Sequence, residues 1–236
     1  MTARDLNKID VVVLAGGLGK RLKPKTGDTP KVLAAVKGIP FLDLLLKNIS
    51  SQGFRRVILC TGYKAEVIEA HYQKSKLDLE IVFSREETPL GTGGAFKLAQ
   101  SKIQSPLFLG LNGDCFCSVL FRDFILFHQE KKARGSLVLT RAEEKGDFGS
   151  VVINPQGEIM SFQEKANLAS SPFVSVGIYC FEKTIFDWMP SKNSFSIEHD
   201  LFPSLIGKSF YGFVTEKKFL DIGTPDRYDR AQNELC

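Results

Sequence analysis

Two stretches of this 236-residue chain combine residue types suited to handling phosphate. The first is Leu14-Ala15-Gly16-Gly17-Leu18-Gly19-Lys20-Arg21-Leu22-Lys23-Pro24, which leaves the end of a β-branched run. Gly16, Gly17 and Gly19 let the backbone wrap closely around a ligand, and its N–H groups can cradle phosphate oxygens. Arg21 and Lys31, the latter in Thr29-Pro30-Lys31, supply countercharge. A guanidinium binds phosphate through two parallel hydrogen bonds. Glycines alone would equally make a tight turn; the attached cations favour an anion site. Two familiar phosphate loops are excluded. The P-loop needs G-x-x-x-x-G-K-[ST], and the dinucleotide fingerprint needs a third glycine where this chain has Leu22. The second stretch is a pair of acids. Asn112-Gly113-Asp114 ends an apolar run, and Asp221 precedes a glycine turn in Phe219-Leu220-Asp221-Ile222-Gly223-Thr224-Pro225. Alone, each Asp reads as a turn residue. Together at strand ends they are well placed to hold Mg²⁺, which prefers oxygen ligands.

The elements that must position these residues follow from periodicity. Residues 9–15 form a nearly continuous β-branched run, the mark of a strand buried on both faces. Helices are expected over 40–52, 65–74 and 94–103, alternating with strands over 56–60, 79–83 and 106–111. That alternation predicts a parallel sheet with helices on both faces. The second half is richer in strands, at 136–141, 150–153, 158–162 and 174–181. Asn154-Pro155-Gln156-Gly157 is a hairpin turn. A helix over 197–205, a strand over 210–215 and a helix from Pro225 complete the chain. No linker divides it, so a single domain over 1–236 is expected. The fold class is α/β: a Rossmann-like, mixed but mainly parallel sheet with a strand-rich second half.

Composition narrows the function classes. The chain is 43% hydrophobic and 25% charged, as ordinary globular proteins are. A net charge of +4, with Lys and Arg spread along the chain, argues against a nucleic-acid partner. No apolar run is long enough to span a membrane, and the N-terminus lacks a signal-like apolar segment. The five cysteines are an odd number, and Cys115-x-Cys117 has no second pair to complete a zinc site. Reduced thiols in the cytoplasm are the expectation.

G-G-x-G-x-R-L followed by P-K resembles the signature of the sugar-phosphate nucleotidyltransferase family. The likeness extends over residues 10–233 and includes five motifs in the family's order. It implies the nucleotide-diphospho-sugar transferase fold, with the glycine loop wrapping a triphosphate. Leu14, Ala15, Gly16, Gly17 and Gly19 are then nucleotide-binding, as are Asn112 and Gly113. Arg21 would stabilise the leaving pyrophosphate, and Lys31 would contact phosphates at the reacting centre. Pro89-Leu90-Gly91-Thr92-Gly93-Gly94 is similar to the segment that holds the base, its glycines allowing a flat ligand close; Gly91 and Thr92 are the binding candidates. The residue that reads the base edge in relatives corresponds to Glu86, with Glu87 as its competitor. A carboxylate can accept from both N1–H and the 2-amino group of guanine, whereas uracil and thymine suit an amide. Glu86 therefore favours GTP.

N-G-D and D-x-G-T match the family's metal positions, which makes Asp114 and Asp221 the Mg²⁺ ligands. Phe162-x-Glu164-Lys165 resembles F-x-E-K, so Glu164 would bind sugar hydroxyls and Lys165 the sugar phosphate. Asp147-Phe148-Gly149-Ser150 and Ser175-Val176-Gly177 resemble sugar-side segments, with Gly149 and Ser175 as candidates. Glu198-His199-Asp200 resembles E-x-D and is expected to be structural. The implied reaction is attack by an anionic sugar 1-phosphate on the α-phosphorus, which needs no general base; His71, His128 and His199 lie outside the catalytic and substrate-binding motifs.

The compact length and the ending F-L-D-I-G-T-P-D-R-Y resemble the D-glycero-α-D-manno-heptose 1-phosphate guanylyltransferases, which serve polysaccharide biosynthesis. GTP and a sugar 1-phosphate are the expected partners, with a homo-oligomer left open. Rival readings are a mannose 1-phosphate guanylyltransferase, a compact uridylyltransferase, a catalytically silent sugar-nucleotide sensor, and a transferase for a non-sugar phosphate such as phosphocholine.

Overall fold

The computed structural model describes residues 3–141, 148–164 and 172–234. A short helix α1 (Ala3–Leu6) leads into strand β1 (Asp10–Leu14). A helical turn α2 (Lys23–Thr26), the small hairpin β2 (Ala35–Val36) and β3 (Ile39–Pro40), and helix α3 (Phe41–Ser51) follow. Next come β4 (Arg56–Thr61), α4 (Ala65–Gln73), β5 (Glu80–Arg85), α5 (Gly91–Ala99), β6 (Leu107–Asn112), β7 (Cys115–Cys117) and α6 (Phe121–Glu130). The second half contains β8 (Gly135–Arg141), β9 (Ser150–Ile153), β10 (Ile159–Gln163), β11 (Phe173–Glu182), α7 (Phe202–Leu205), β12 (Phe210–Val214), β13 (Phe219–Asp221) and α8 (Pro225–Glu234).

The strands β5, β4, β1 and β6 lie side by side and parallel. Parallel neighbours require crossover connections, and α3, α4 and α5 supply them. β1 explains the layering. Val11 and Val13 face the apolar sides of α3, α4 and α6, while Val12 faces α5 and α7. In α3 the buried residues Phe41, Leu42, Leu45, Leu46 and Ile49 recur at helical spacing. Each such side chain contributes about 1.5–3 kcal/mol on full burial.

Strand β11 joins this parallel half to an antiparallel half. Residues 178–182 pair with β6, whereas Phe173 and Val174 pair with β9. The change of neighbour falls at Gly177, where φ is 73° and the register against β8 slips between Ser175 and Tyr179. A Cβ on Gly177 would stand 2.8 Å from the Asn112 amide, so glycine lets the end of β6 approach. β8 continues the sheet from β11 to β12, and β9 pairs with β10. A bridge between Glu158 and Tyr211 links that hairpin back to β12.

The structure departs from the sequence reading in places. Helix α5 begins at Gly91, earlier than expected, and ends at Ala99 in a tighter turn over Gln100–Lys102. The helix expected over 197–205 is a wide π-helical turn, Ile197–Leu201, followed by α7. The Ser196 side chain takes the N–H groups of Glu198 and His199, and the Thr92 hydroxyl takes that of Ile197. These side-chain acceptors set the backbone where an ordinary helical turn was expected. The pairs β2–β3 and β7–β13 escaped the pattern because strands of two or three residues carry no readable period. A separate apolar cluster of Leu22, Ala34, Val36, Phe41, Ile222 and Ala231 ties the glycine loop to the end of β13 and to α8. No described helix is long and apolar enough to cross a membrane.

Candidate active site

The carboxyl ends of β1, β4, β5 and β6 open onto one cavity of about 560 Å³. That is where an open parallel sheet gathers ligands. Leu14, Gly16, Gly17, Lys31, Glu86, Gly91, Thr92, Asn112 and Asp114 line it, as does Glu87. The floor is fixed by backbone hydrogen bonds that continue the ladder: Ala15 N–H donates to the Cys60 carbonyl, and Gly113 N–H to the Leu14 carbonyl. A Cβ on Gly113 would lie 2.6 Å from that carbonyl oxygen, so only glycine allows the contact. Gly17 faces open space. Gly19 turns the loop back at φ 59° and abuts Lys31.

Lys31 makes an ion pair with Asp114 at the cavity wall. Burial opposes the lysine's charge, but Asp114 and then Asp221 more than offset it, and its pKa is raised. Burial likewise opposes the charge on Asp114, where Lys31 prevails and holds the carboxyl below its usual value. Asp221 is pushed the other way, first by burial and then by Asp114. Arg227 Nη1 at 2.9 Å and the Gly223 N–H at 3.0 Å only partly counter this. Arg227 itself lies over the Phe148 ring at 3.9 Å. The β7–β13 ladder creates the cluster, since Cys115 and Asp221 are register partners and Asp114 precedes Cys115. One ligand atom from each of the three lies within 4.8 Å of the others, an arrangement that could hold a metal ion. The Cys115 thiol is buried and its pKa is raised well above the ordinary value, first by burial and then by the two aspartates. That leaves two carboxylates as the hard donors, one of them short of countercharge, and this fits a divalent cation with oxygen preference.

Glu86 projects from the loop after β5. Its N–H donates to the Thr61 carbonyl, and one carboxylate oxygen accepts the Leu90 N–H at 3.2 Å. The other oxygen packs over Gly16 and Gly62, where Cβ atoms would stand 3.1 and 2.6 Å away. Burial raises the pKa of Glu86, and the Leu90 N–H lowers it less. Gly91 and Thr92 line the cavity, and the two glycines that follow them serve packing within the chain. Gly93 and Gly94 N–H groups both donate to the Phe195 carbonyl, and side chains at 93 and 94 would collide with the Phe195 ring and the Asn193 carbonyl. They admit the 193–195 backbone. The Thr92 hydroxyl is likewise engaged, donating to Glu198 Oε2 at 2.6 Å. Glu198 also accepts from Ser196 and from Tyr179, whose hydroxyl reaches Asn112. The acid of Glu198-His199-Asp200 thus braces the wall, as its structural reading implied.

The remaining candidates lie outside the cavity lining. Arg21 is exposed on the glycine loop, and a Cβ on Gly223 would stand 3.6 Å from its Nη2. Gly149 and Ser175 are joined by a Ser175 N–H to Gly149 carbonyl bond of 2.9 Å. Glu164 directly follows β10 and pairs with His199 from the π-helical turn, so one histidine does reach the Phe162–Glu164 segment. Lys165 and Asp147 lie outside the described residues. Sequence reasoning missed Cys60, Gly62 and Tyr63, which also line the cavity. The signal was available: Thr61-Gly62-Tyr63 follows a buried strand as Gly16 and Gly17 do. Cys115 and Arg227 gave no such signal, because only the β7–β13 pairing brings them together.

Comparison with known proteins agrees with this geometry. The nucleotidyl transferase family matches residues 10–236. A D-glycero-alpha-D-manno-heptose 1-phosphate guanylyltransferase of Aneurinibacillus thermoaerophilus is 36% identical over 228 residues, covering 96% of this chain and 98% of that protein. A mannose-1-phosphate guanylyltransferase of Mycobacterium tuberculosis is 34% identical over 233 residues; the match takes in 97% of this chain but 65% of the longer relative. Among solved structures, HddC from Yersinia pseudotuberculosis superposes with a TM-score of 0.85 at 34% identity, over 97% of this chain and all of HddC, and was also solved complexed with GMP-PN. With the cavity at the strand ends, the glycine loop around it and the paired aspartates beside it, the chain belongs to the nucleotidyl transferase family.

Proposed function

We propose that this protein transfers a guanylyl group from GTP to D-glycero-α-D-manno-heptose 1-phosphate, giving GDP-heptose and pyrophosphate. The observation that carries the choice of GTP is Glu86, a carboxylate held at the wall of the cavity by the Leu90 N–H. Its oxygens suit the adjacent N1–H and 2-amino donors of guanine. Support for the heptose comes from the Aneurinibacillus relative, which matches along nearly its whole length. The Mycobacterium relative supports a second reading, with mannose 1-phosphate as acceptor.

In the reaction, a phosphate oxygen of the sugar 1-phosphate bonds to the α-phosphorus of GTP. The bond from that phosphorus to the bridging oxygen breaks, and the electron pair leaves with pyrophosphate. The nucleophile is already anionic, so the chain's task is to position two anions and stabilise their charge. The glycine loop offers N–H groups, Arg21 countercharge to the leaving pyrophosphate, and Lys31 countercharge at the reacting phosphates. Glu164, Lys165, Gly149 and Ser175 would hold the sugar phosphate. Asp114 and Asp221 would hold Mg²⁺, which when bound neutralises phosphate charge. Free thiols at Cys60, Cys115, Cys117 and Cys180 suit a reducing compartment such as the cytoplasm.

Pyrophosphate release from GTP with each sugar phosphate tests the assignment. Turnover with heptose 1-phosphate at least about tenfold more efficient than with mannose 1-phosphate supports it, a gap of about 1.4 kcal/mol. The reverse preference supports the second reading.

A further inference from the structure

A second cavity, of about 400 Å³, lies at the opposite end of the strands. Lys132, Arg134, Glu182, Thr184, Asp187 and Trp188 are among its lining residues. It sits where β8 begins and β11 ends; Glu182 pairs with Leu107 at the start of β6, whereas the nucleotide cavity lies beyond that strand's other end.

Several independent features mark this cavity. The Arg134 guanidinium lies 4.0 Å from the Trp188 ring centroid, and Lys208 Nζ stands 4.6 Å from the same centroid. Arg134 forms no side-chain hydrogen bond or ion pair among the described residues, although two carboxylates line the same space. Its buried Nε has no acceptor. The fully buried His128 is in a similar state: its Nδ1 meets Ser136, while its Nε2 has no hydrogen-bond partner and points toward Glu182 at 3.8 Å. Two of the four unsatisfied buried side-chain atoms among the described residues therefore belong to Arg134, which lines the cavity, and to His128, which lies behind the lining residue Glu182. Buried polar groups are ordinarily satisfied, so such a concentration points to a missing partner. Lys132 and Ser209 flank the cavity in left-handed backbone conformations, at φ 48° and 61°. They are two of the four non-glycine residues that do so among the described residues. Strain of this kind gathers at binding sites.

We infer that this cavity is a binding site for a small sugar phosphate, separate from the nucleotide site. The phosphate would accept from the Arg134 N–H groups, with Lys132 and Lys208 adding charge. A guanidinium held over an aromatic ring can still offer a planar, two-point contact to such an oxyanion. The carboxylates of Glu182 and Asp187 would accept from the sugar hydroxyls, which a bare anion lacks. That division explains why cations and carboxylates share the cavity without pairing to one another. The inference is independent of which sugar the enzyme uses.

Trp188 is the chain's one tryptophan, so its fluorescence reports on this cavity directly. Mannose 6-phosphate, inorganic phosphate and free mannose are titrated in turn against the intact protein. The expected result is a saturable change with mannose 6-phosphate, at an affinity at least about tenfold above that for phosphate or mannose alone. Arg134→Gln should weaken it by about tenfold or more, and so should Asp187→Asn, with GTP binding unchanged. Calorimetric titration of the same proteins gives the affinity independently of the fluorescence baseline, and Asp187→Asn carries the test should Arg134→Gln fail to fold. No saturable binding by either method overturns the inference. So does binding that both variants retain, or phosphate binding as tight as that of the sugar phosphate.

Discussion

At Asp221, burial and the neighbouring Asp114 both favour the protonated acid. A carboxyl whose pKa is raised by folding destabilises the native state wherever it is forced to ionise. The penalty is full above the raised native value, shrinks as pH falls through it, and vanishes below the unfolded value of about 3.9. Asp221→Asn should therefore raise the thermal midpoint at pH 7, and its advantage should shrink as the pH is lowered toward that value. Thermal melts across that range check this; a lower midpoint at pH 7 would contradict it. The same substitution should weaken Mg²⁺ binding, since the tension is what a divalent ion relieves. Lys31→Ala or Asp114→Ala should lower kcat/KM by about a hundredfold or more, the scale for losing one transition-state contact. Near-wild-type kinetics for either would refute the roles given to them. Glu86→Gln should weaken GTP selectively, because an amide offers one acceptor where guanine presents two donors. Competition between GTP and UTP in the variant reads that out. The grouping of Lys31, Asp114 and Asp221 was legible at the residue scale, since the two acids stand at strand ends and Lys31 follows the glycine loop in Thr29-Pro30-Lys31. Cys115, Arg227 and the Thr92–Glu198 bond were not, because each depends on segments distant in sequence.

Helix α5 shows how an element takes up several glycines for packing. Gly94 lies against the Asn193 carbonyl, a backbone group that cannot rotate away. Gly94→Ala should cost about 1–3 kcal/mol by overpacking. It should also weaken GTP binding, since the start of α5 is part of the cavity wall. Denaturant melts and GTP titration together measure this, and a variant unchanged in both would contradict the packing. Helix α6 contains a different dependence. Burial lowers the pKa of His128 from 6.5 to about 4. The unfolded chain takes up a proton near pH 6.5 that the folded chain refuses, so stability present above that value is lost as pH falls toward 4. The loss amounts to about 3 kcal/mol at most. His128→Gln should flatten the stability profile between pH 6.5 and 4, which urea midpoints measure. Element periods were legible where strands and helices were long, as in β1 and α3. They failed at the π-helical turn, where side-chain acceptors reset the backbone, and at β2–β3 and β7–β13, which are too short to show a period.

Across the whole molecule, the parallel strands β1, β4, β5 and β6 present their carboxyl ends to one cavity, and β11 brings the antiparallel half up against it at Gly177 and Asn112. The parallel half could be read from alternating strand and helix patterns. The crossing of β11 from β6 to β9 could not, because it depends on a register slip and a positive φ that no period encodes. This architecture sets the cavity built by the parallel strands beside the antiparallel half of β9, β10 and β11, which the proposed function assigns to the sugar. The proposed joining of GTP to a heptose 1-phosphate is tested most directly by pyrophosphate release with Mg²⁺ and each of GTP, UTP, CTP and dTTP. Each nucleotide is paired with D-glycero-α-D-manno-heptose 1-phosphate and with mannose 1-phosphate. Efficient release is expected only with GTP, and fastest with the heptose. Efficient release with UTP or dTTP would contradict the role given to Glu86, and no release with any pair would contradict the proposed reaction.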